Sequence, residues 1–192
     1  MLTLYRQTAD EVTKIISEIT EADLARPTPC QGWDLRTLIA HQIGQLNGFA
    51  EAIATGDAPP SSYQLETIDT DRFEAAWLQA TSALLDALES TAEDKIIQLA
   101  GFGELPVATA LRMQLLDTGV HGWDIASSIG RDYRPDDAVV ADILHFARLI
   151  AARPDASTAF AAPMGGADSD DWATALRLLG RQVAAGGEWL QP

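Results

Sequence analysis

Residues 111–131, LRMQLLDTGVHGWDIASSIGR, determine how the rest of the chain is interpreted. Their periodicity predicts a helix on which one narrow polar strip runs between apolar flanks, formed by Gln114, Asp117, His121, Asp124 and Ser128. Asp117 and His121 are four residues apart, so they lie one turn apart on the same helical face. A carboxylate and an imidazole placed in this way can bind one divalent cation at about 2.0–2.2 Å each. From the spacing alone, a metal site and a strip that is merely the solvated face of a central helix are equally favoured.

The length and composition indicate one globular domain. Of the 192 residues, 47% are hydrophobic and 21% are charged, which is enough apolar sequence to bury a core. The chain has 28 acidic and 13 basic residues and a formal charge of -15. This charge repels nucleic-acid phosphates and anionic membranes, so we predict no nucleic-acid or membrane partner.

The compartment is predicted from the single cysteine and from the start of the sequence. Cys30 has no second cysteine to pair with, which is typical of a reducing environment. The first twenty residues carry acidic side chains instead of a basic and apolar leader, and no apolar run reaches the ~18–20 residues that span a bilayer. We therefore predict a cytoplasmic protein.

Hydrophobic periodicity predicts an all-α fold. The predicted helices cover about residues 2–19, 35–55, 67–89, 106–130, 136–152 and 171–185. Long helices with short connections are typical of an antiparallel four-helix bundle, here with additional C-terminal helices. We assign residues 1–192 to one domain, with a core over about 1–152 and an extension over 153–192, and we predict a short extended segment at Ile96–Leu99.

Four further residues were considered as site candidates. His41 lies at the edge of an apolar helical face, where a partly buried, hydrogen-bonded histidine is the commoner interpretation. His145 lies on a polar face and is predicted to be exposed. Cys30 could act as a nucleophile only beside a histidine, and the sequence offers no support for that pairing. Asp124 could orient the His121 imidazole, although a salt bridge or a solvated carboxylate is slightly favoured.

Three stretches resemble the DinB-like, mycothiol-dependent maleylpyruvate isomerase-like family. TPCQGWDLRTLIAH, residues 28–41, is similar to the family's TPC..W.vrdLl.H opening. DTGVHGWDIA, residues 117–126, resembles the family's D..vHgWDlA helix, and LLGR, residues 178–181, is similar to the tail of its shorter, uncharacterised members. With the order and lengths of the helices, the resemblance covers most of the chain.

The resemblance implies a four-helix bundle that holds a divalent metal near one end. At the matching positions the ligands are a histidine of the second helix and a carboxylate-x-x-x-His pair of a later helix, namely His41, Asp117 and His121. Zinc is the first expectation for such ligands, with nickel, iron and manganese as alternatives. The implied activity is that of a metal-dependent transferase or isomerase, which acts on a small electrophile with a low-molecular-weight thiol such as mycothiol.

Two departures from the family pattern limit that implication. The characterised isomerase has a glutamate where this chain has Asp117, which is one methylene shorter. Residues 153–192 are also too few for the second domain of that enzyme, which argues against maleylpyruvate isomerisation itself. Two alternatives remain: a non-catalytic metal-binding or structural bundle, and a bundle without metal in which Asp117 and His121 are simply paired. A homodimer formed through a helix face is compatible with a bundle of this size.

Overall fold

The structure is a computed structural model. It describes residues 1–64, 68, 71–152, 160–164, 170–184 and 188–189. The α-helices are α1 (Leu2–Ile16), α2 (Leu35–Thr55), α3 (Phe73–Ser90), α4 (Val107–Ser128), α5 (Asp137–Ala151) and α6 (Asp171–Leu178). Two short strands, β1 (Ile96–Leu99) and β2 (Gly103–Pro106), form an antiparallel hairpin before α4. The mostly helical fold predicted from the sequence is confirmed.

Both ends of α2 are set by local sequence, and both lie where they were predicted. The Asp34 carboxylate accepts a hydrogen bond from the Thr37 backbone N–H at 2.8 Å, which satisfies a donor of the first turn. At the other end, Gly56 has a φ of 102°, and this left-handed conformation ends the helix. The first of these ends fixes the start of the helix that carries His41.

Helices α2 and α4 run antiparallel. The Arg26 guanidinium, which precedes α2, donates to the carbonyl of Ser128 at 3.3 Å, at the last residue of α4. At the far end, the Lys95 ammonium donates to the carbonyl of Ile53 at 2.9 Å, just before the hairpin that leads into α4. The start of α2 therefore lies beside the end of α4, and the side chains of both segments meet at one end of the bundle.

Two glycines allow α4 to pack closely against its neighbours in the centre of the bundle. A Cβ atom at Gly122 would lie 2.5 Å from Cγ2 of Val12 in α1, and one at Gly119 would lie 2.7 Å from Cδ1 of Ile143 in α5. Both distances are too short for a real contact, so these helices approach α4 as they do because the glycines lack side chains. Most of α4 is consequently buried.

The structure differs from the predicted helix boundaries in three places. Helix α1 ends at Ile16 and α3 begins at Phe73, each several residues inside its predicted limit, and Thr67 lies outside the described residues. Helix α6 ends at Leu178 because Gly180, with a φ of 82°, turns the chain away. The rest of that predicted helix reaches Ala185, which also lies outside the described residues.

The hairpin explains the segment that was predicted to be extended. Ile97 pairs with Leu105, and the turn between the strands uses Gly101 and Gly103, each with a φ of 80°. The predicted position of Pro106 inside the first turn of α4 is wrong, because Pro106 ends β2 and directly precedes the first residue of the helix. Among the described residues, no helix is both long enough and apolar enough to cross a membrane.

Candidate metal centre

The three predicted metal ligands lie together at one end of the bundle. His41 of α2 and Asp117 and His121 of α4 each offer a donor atom, and these atoms all lie within 4.8 Å of one another. His121 is buried, whereas His41 and Asp117 are half-buried and leave an approach to the group. The Trp33 ring flanks His41, with ring centroids 4.8 Å apart. The antiparallel packing of α2 and α4 brings together ligands that are about eighty residues apart in sequence.

The distance between Asp117 and His121 suits a shared cation. Nε2 of His121 lies 3.5 Å from Oδ1 of Asp117. This is longer than a good N–H···O hydrogen bond, which is about 2.7–3.2 Å. Two ligands about 2.1 Å from one tetrahedral ion lie about 3.4 Å apart. The two side chains are therefore spaced as ligands of one ion more than as a direct hydrogen-bonded pair.

The protonation of His121 is set from its other side. Nδ1 of His121 lies 2.8 Å from Oδ2 of Asp124, which is fully buried. Because a carboxylate can only accept, Nδ1 carries the hydrogen and donates it. Nε2 is then left facing Asp117, so two acceptor atoms confront each other unless a proton or a metal ion lies between them.

The surroundings of His121 favour its protonated form. Burial lowers the pKa of His121, but the Asp117 carboxylate, the Cys30 sulfur and the hydrogen bond to Asp124 outweigh it and raise the pKa to about 10. The pKa of His41 shifts in the opposite direction, because burial and the positive charges of His121 and Arg181 together outweigh the attraction of Asp117 and hold that pKa below the usual range. His41 is thus neutral at neutral pH, as a metal ligand must be.

The Asp117 carboxylate is oriented by Gln42. Nε2 of Gln42 donates to Oδ2 of Asp117 at 2.7 Å, and the Gln42 side chain is buried. This bond occupies one carboxylate oxygen and turns the other, Oδ1, toward His121. Gln42 follows His41 directly in α2, so a single turn of that helix supplies both a candidate ligand and the residue that orients another.

Asp124 is held by a bidentate ion pair with Arg181. Nη2 of Arg181 donates to Oδ2 at 2.6 Å and Nε donates to Oδ1 at 3.2 Å, with both side chains buried. Nη1 of Arg181 also donates to the Leu179 carbonyl at 2.7 Å. Burial raises the pKa of Asp124, but Arg181 and His121 together hold it far below its usual range. Asp124 is therefore a charged, paired carboxylate, and the solvated alternative is wrong.

Cys30 lies on the same side of His121 as Asp124. Its Sγ is 3.7 Å from Nδ1 of His121 and 3.2 Å from Oδ2 of Asp124, so Cys30 does lie beside a histidine, a pairing for which the sequence offered no support. These three side chains form a second group with metal-ligand spacing. However, Nη2 of Arg181 lies 3.4 Å from Sγ and already supplies a positive charge there. The group of His41, Asp117 and His121 therefore suits a cation better.

Residues beyond α5 complete the centre. The Phe160 ring stacks on the His121 imidazole at 24°, with centroids 6.4 Å apart. The Arg181 guanidinium lies over the same Phe160 ring, 5.3 Å from its centroid. Phe160 thus contacts both the His121 ring and the guanidinium that pairs with Asp124.

Sequence reasoning overlooked Gln42, Arg181 and Phe160. Arg181 belongs to the LLGR stretch that carried part of the resemblance, which was the available signal, whereas Gln42 had only its position beside His41. The polar strip of α4 is not a solvated face, since Gln114, His121, Asp124 and Ser128 are all buried. His145 is exposed, as predicted.

The fold and the centre define a DinB-like protein. The family model described as the mycothiol maleylpyruvate isomerase N-terminal domain matches residues 5–126, and the chain belongs to this family. An uncharacterized protein of Mycobacterium tuberculosis, recorded from strains CDC 1551 / Oshkosh and ATCC 25618 / H37Rv, is 22% identical over 149 residues, which cover 78% of each chain.

Two crystal structures of the mycothiol-dependent maleylpyruvate isomerase resemble this structure. One superposes with a TM-score of 0.69 at 16% identity and covers 100% of this chain and 94% of that one. The other, a mutant in which a histidine is replaced by alanine, gives a TM-score of 0.62 at 16% identity over 76% and 67% of the two chains. The first superposition spans nearly all of both chains and the second about two thirds of the other chain, and both show the same fold.

Proposed function

We propose that this protein is a metal-dependent enzyme that uses a low-molecular-weight thiol of the mycothiol type. It either transfers this thiol to a small electrophile or uses the thiol to isomerise that electrophile. The observation that carries the proposal is the arrangement of His121 and Asp117. Nε2 and Oδ1 face each other at 3.5 Å while Nδ1 is bound to Asp124, so the space between them suits a metal ion, although a proton would also satisfy both atoms. Membership of a family named for mycothiol supports a thiol as the second reactant.

His41, Asp117 and His121 would hold the ion. Nitrogen and oxygen donors favour zinc first, and they also suit nickel, iron or manganese. Three protein ligands leave coordination positions open, which is the pattern of catalytic sites. When bound, the ion would lower the pKa of a coordinating thiol, so that the thiolate is available at neutral pH.

The surrounding side chains would hold the ligands in place. Gln42 directs one oxygen of Asp117 toward the ion position. Asp124, itself held by Arg181, keeps the hydrogen of His121 on Nδ1, so that Nε2 can coordinate. Such outer partners typically contribute about 10–100-fold to metal affinity. The half-buried faces of His41 and Asp117 provide the approach for thiol and electrophile.

The competing proposal is a structural role, in which Asp117 and His121 are paired through a proton inside the bundle. The raised pKa of His121, about 10, favours it, because the imidazolium then satisfies Asp117 without a metal. This alternative is a structural role for the centre, and a non-catalytic metal site with every position filled is a related one. Metal content and access to thiols distinguish the three.

The test begins with elemental analysis of protein purified without a metal-affinity tag. We expect about one equivalent of a divalent metal in the wild type and loss of that metal in the His41→Ala, Asp117→Ala and His121→Ala variants. His145→Ala is the matched control because His145 is exposed on α5 and belongs to neither group of side chains with metal-ligand spacing. In cobalt-substituted protein, an added thiol should produce a thiolate-to-cobalt charge-transfer absorption.

The outcomes separate the alternatives. No metal in the wild type, even after incubation with zinc, would exclude the enzyme and favour the proton-bridged pair. Bound metal without any thiolate absorption would indicate a filled, non-catalytic site. Metal that is retained in all three alanine variants would refute the assigned ligands.

A further inference from the structure

Beside the candidate metal centre, the interior of the bundle contains polar groups without hydrogen-bond partners. They are the Tyr5 hydroxyl, both amide atoms of Gln114 and the Thr118 hydroxyl, none of which bonds to any residue that the structure describes. Tyr5 and Thr118 are 0% exposed and Gln114 is 1% exposed. Each unsatisfied buried group costs about 1–3 kcal/mol, so native proteins rarely keep several together.

These groups lie next to the metal ligands, whereas others of the same kind, such as the Thr81 hydroxyl on α3 and the Tyr63 hydroxyl, lie elsewhere. Gln114 and Thr118 are one turn apart on α4, and Gln114 precedes Asp117 by three residues on the same polar strip. Tyr5 lies on α1, which packs against α4. Burial raises the pKa of the Tyr5 phenol, with an opposing influence of the Thr118 hydroxyl and a further contribution from Asp117. Tyr5 and Thr118 are thus close, but neither makes a hydrogen bond of normal geometry.

We propose that Tyr5, Gln114 and Thr118 form the inner wall of the ligand site and bind an uncharged hydrogen-bonding group, a hydroxyl or an amide, of the thiol that occupies the metal. The inference rests on the proposed function, because it gives the thiol a second point of attachment. The three side chains offer both donors and acceptors, as a hydroxyl or an amide requires.

The chemistry of the wall favours an uncharged hydrogen-bonding group. Its three side chains are neutral and offer donors and acceptors but no countercharge, so a charged ligand group would be desolvated there without an ion partner. An alkyl group would leave all of the wall's polar atoms unpaired, and sites built to hydrogen-bond a substrate discriminate strongly against such analogues.

The test uses two thiols of equal size, 2-mercaptoethanol and 1-propanethiol, which differ in a terminal hydroxyl or methyl group. Their dissociation constants for the zinc-loaded protein are measured by calorimetry, and the ratio of the two constants is compared among variants. We expect the wild type to bind 2-mercaptoethanol more tightly than 1-propanethiol. In the Tyr5→Phe and Gln114→Leu variants, the ratio of the two dissociation constants should shift roughly fivefold toward 1-propanethiol. Comparison of ratios removes the intrinsic difference in thiol acidity.

Tyr63→Phe is the matched control. The Tyr63 hydroxyl is also buried without a partner, but its ring lies against Gly48 and Phe49, about 10 Å along α2 from His41. This variant should keep the wild-type ratio. Equal ratios in the wild type and in the Tyr5 and Gln114 variants would overturn the inference and leave the proposed function intact. Failure of every thiol to bind zinc-loaded wild type would overturn the proposed function and this inference with it.

Discussion

Nδ1 of His121 lies 2.8 Å from Oδ2 of Asp124, one turn further along α4. This contact determines which imidazole nitrogen faces the interior of the candidate centre. Because Asp124 is also bound by Arg181, its carboxylate cannot swing away to solvent. The hydrogen-bonded series Arg181–Asp124–His121 therefore connects a residue beyond α6 to the imidazole that would coordinate the metal.

Asp124→Asn should weaken zinc binding by about 10–100-fold while the protein stays folded. The asparagine oxygen can still accept from Nδ1, but the amide carries no charge to strengthen the imidazole as a ligand or to pair with Arg181. Zinc affinity is measured by competition with a chelating dye. Asp142→Asn is the control, because Asp142 pairs with Arg112 at 3.9 Å away from the centre. Equal zinc affinity in the wild type and in folded Asp124→Asn would contradict this role.

Arg181→Met should destabilise the protein by about 3–5 kcal/mol in chemical denaturation, because it removes the guanidinium from the buried Asp124 carboxylate and leaves only the His121 imidazole and the Cys30 thiol bonded to it. Arg181→Lys should recover part of the loss, since an ammonium restores the charge without the bidentate contact. Arg131→Met, which removes an exposed ion pair with Glu18, should cost less than about 1 kcal/mol. A similar loss of unfolding free energy in the Arg181→Met and Arg131→Met variants would show that the buried ion pair contributes no more to stability than the exposed one.

Local patterns were sufficient to predict the helices and the candidate ligands on α4. The four-residue spacing of Asp117 and His121 fixes their common face in any regular helix, and the capping residues of α2 act within a few positions of themselves. His41 was different, because its spacing favoured a boundary role and only the resemblance nominated it. Its approach to α4 depends on how two helices pack, which no local pattern states.

The contributions of Gln42, Arg181 and Phe160 could not be read from the sequence. Arg181 is 57 positions from Asp124, and it reaches that carboxylate because α6 ends early and the chain turns at Gly180. The same limitation explains the error about the polar strip. Alternation of polar and apolar residues shows which side chains share a face, but it does not show that the face is covered by α1 and α2.

Gln42→Leu should weaken zinc binding by roughly tenfold with little change in helical content. The substitution removes the donor that holds Oδ2 of Asp117 at 2.7 Å, so the carboxylate can rotate away from His121. Gln45→Leu is the matched control, since Gln45 lies one turn further along α2 and only partly buried. The prediction is wrong if both variants bind zinc as tightly as the wild type in the same competition assay.

The metal-free protein should lose stability as the pH rises from about 6.5 to about 10. The pKa of His121 is raised to about 10 in the folded state, against about 6.5 in an unfolded chain. A raised pKa stabilises the folded protein fully below the unfolded value, and the stabilisation disappears as the pH approaches the folded value. Urea denaturation of chelator-treated protein at several pH values between these limits measures the loss.

His121→Asn and zinc isolate the contribution of this single proton. The variant has no imidazole to titrate, so its stability should fall less steeply over the same range, although the other groups still titrate. In the proposed site zinc would replace the proton between Nε2 of His121 and Oδ1 of Asp117, so zinc-loaded wild type should also show the shallower dependence. Parallel curves for metal-free wild type and His121→Asn would mean that no proton is held between these two side chains.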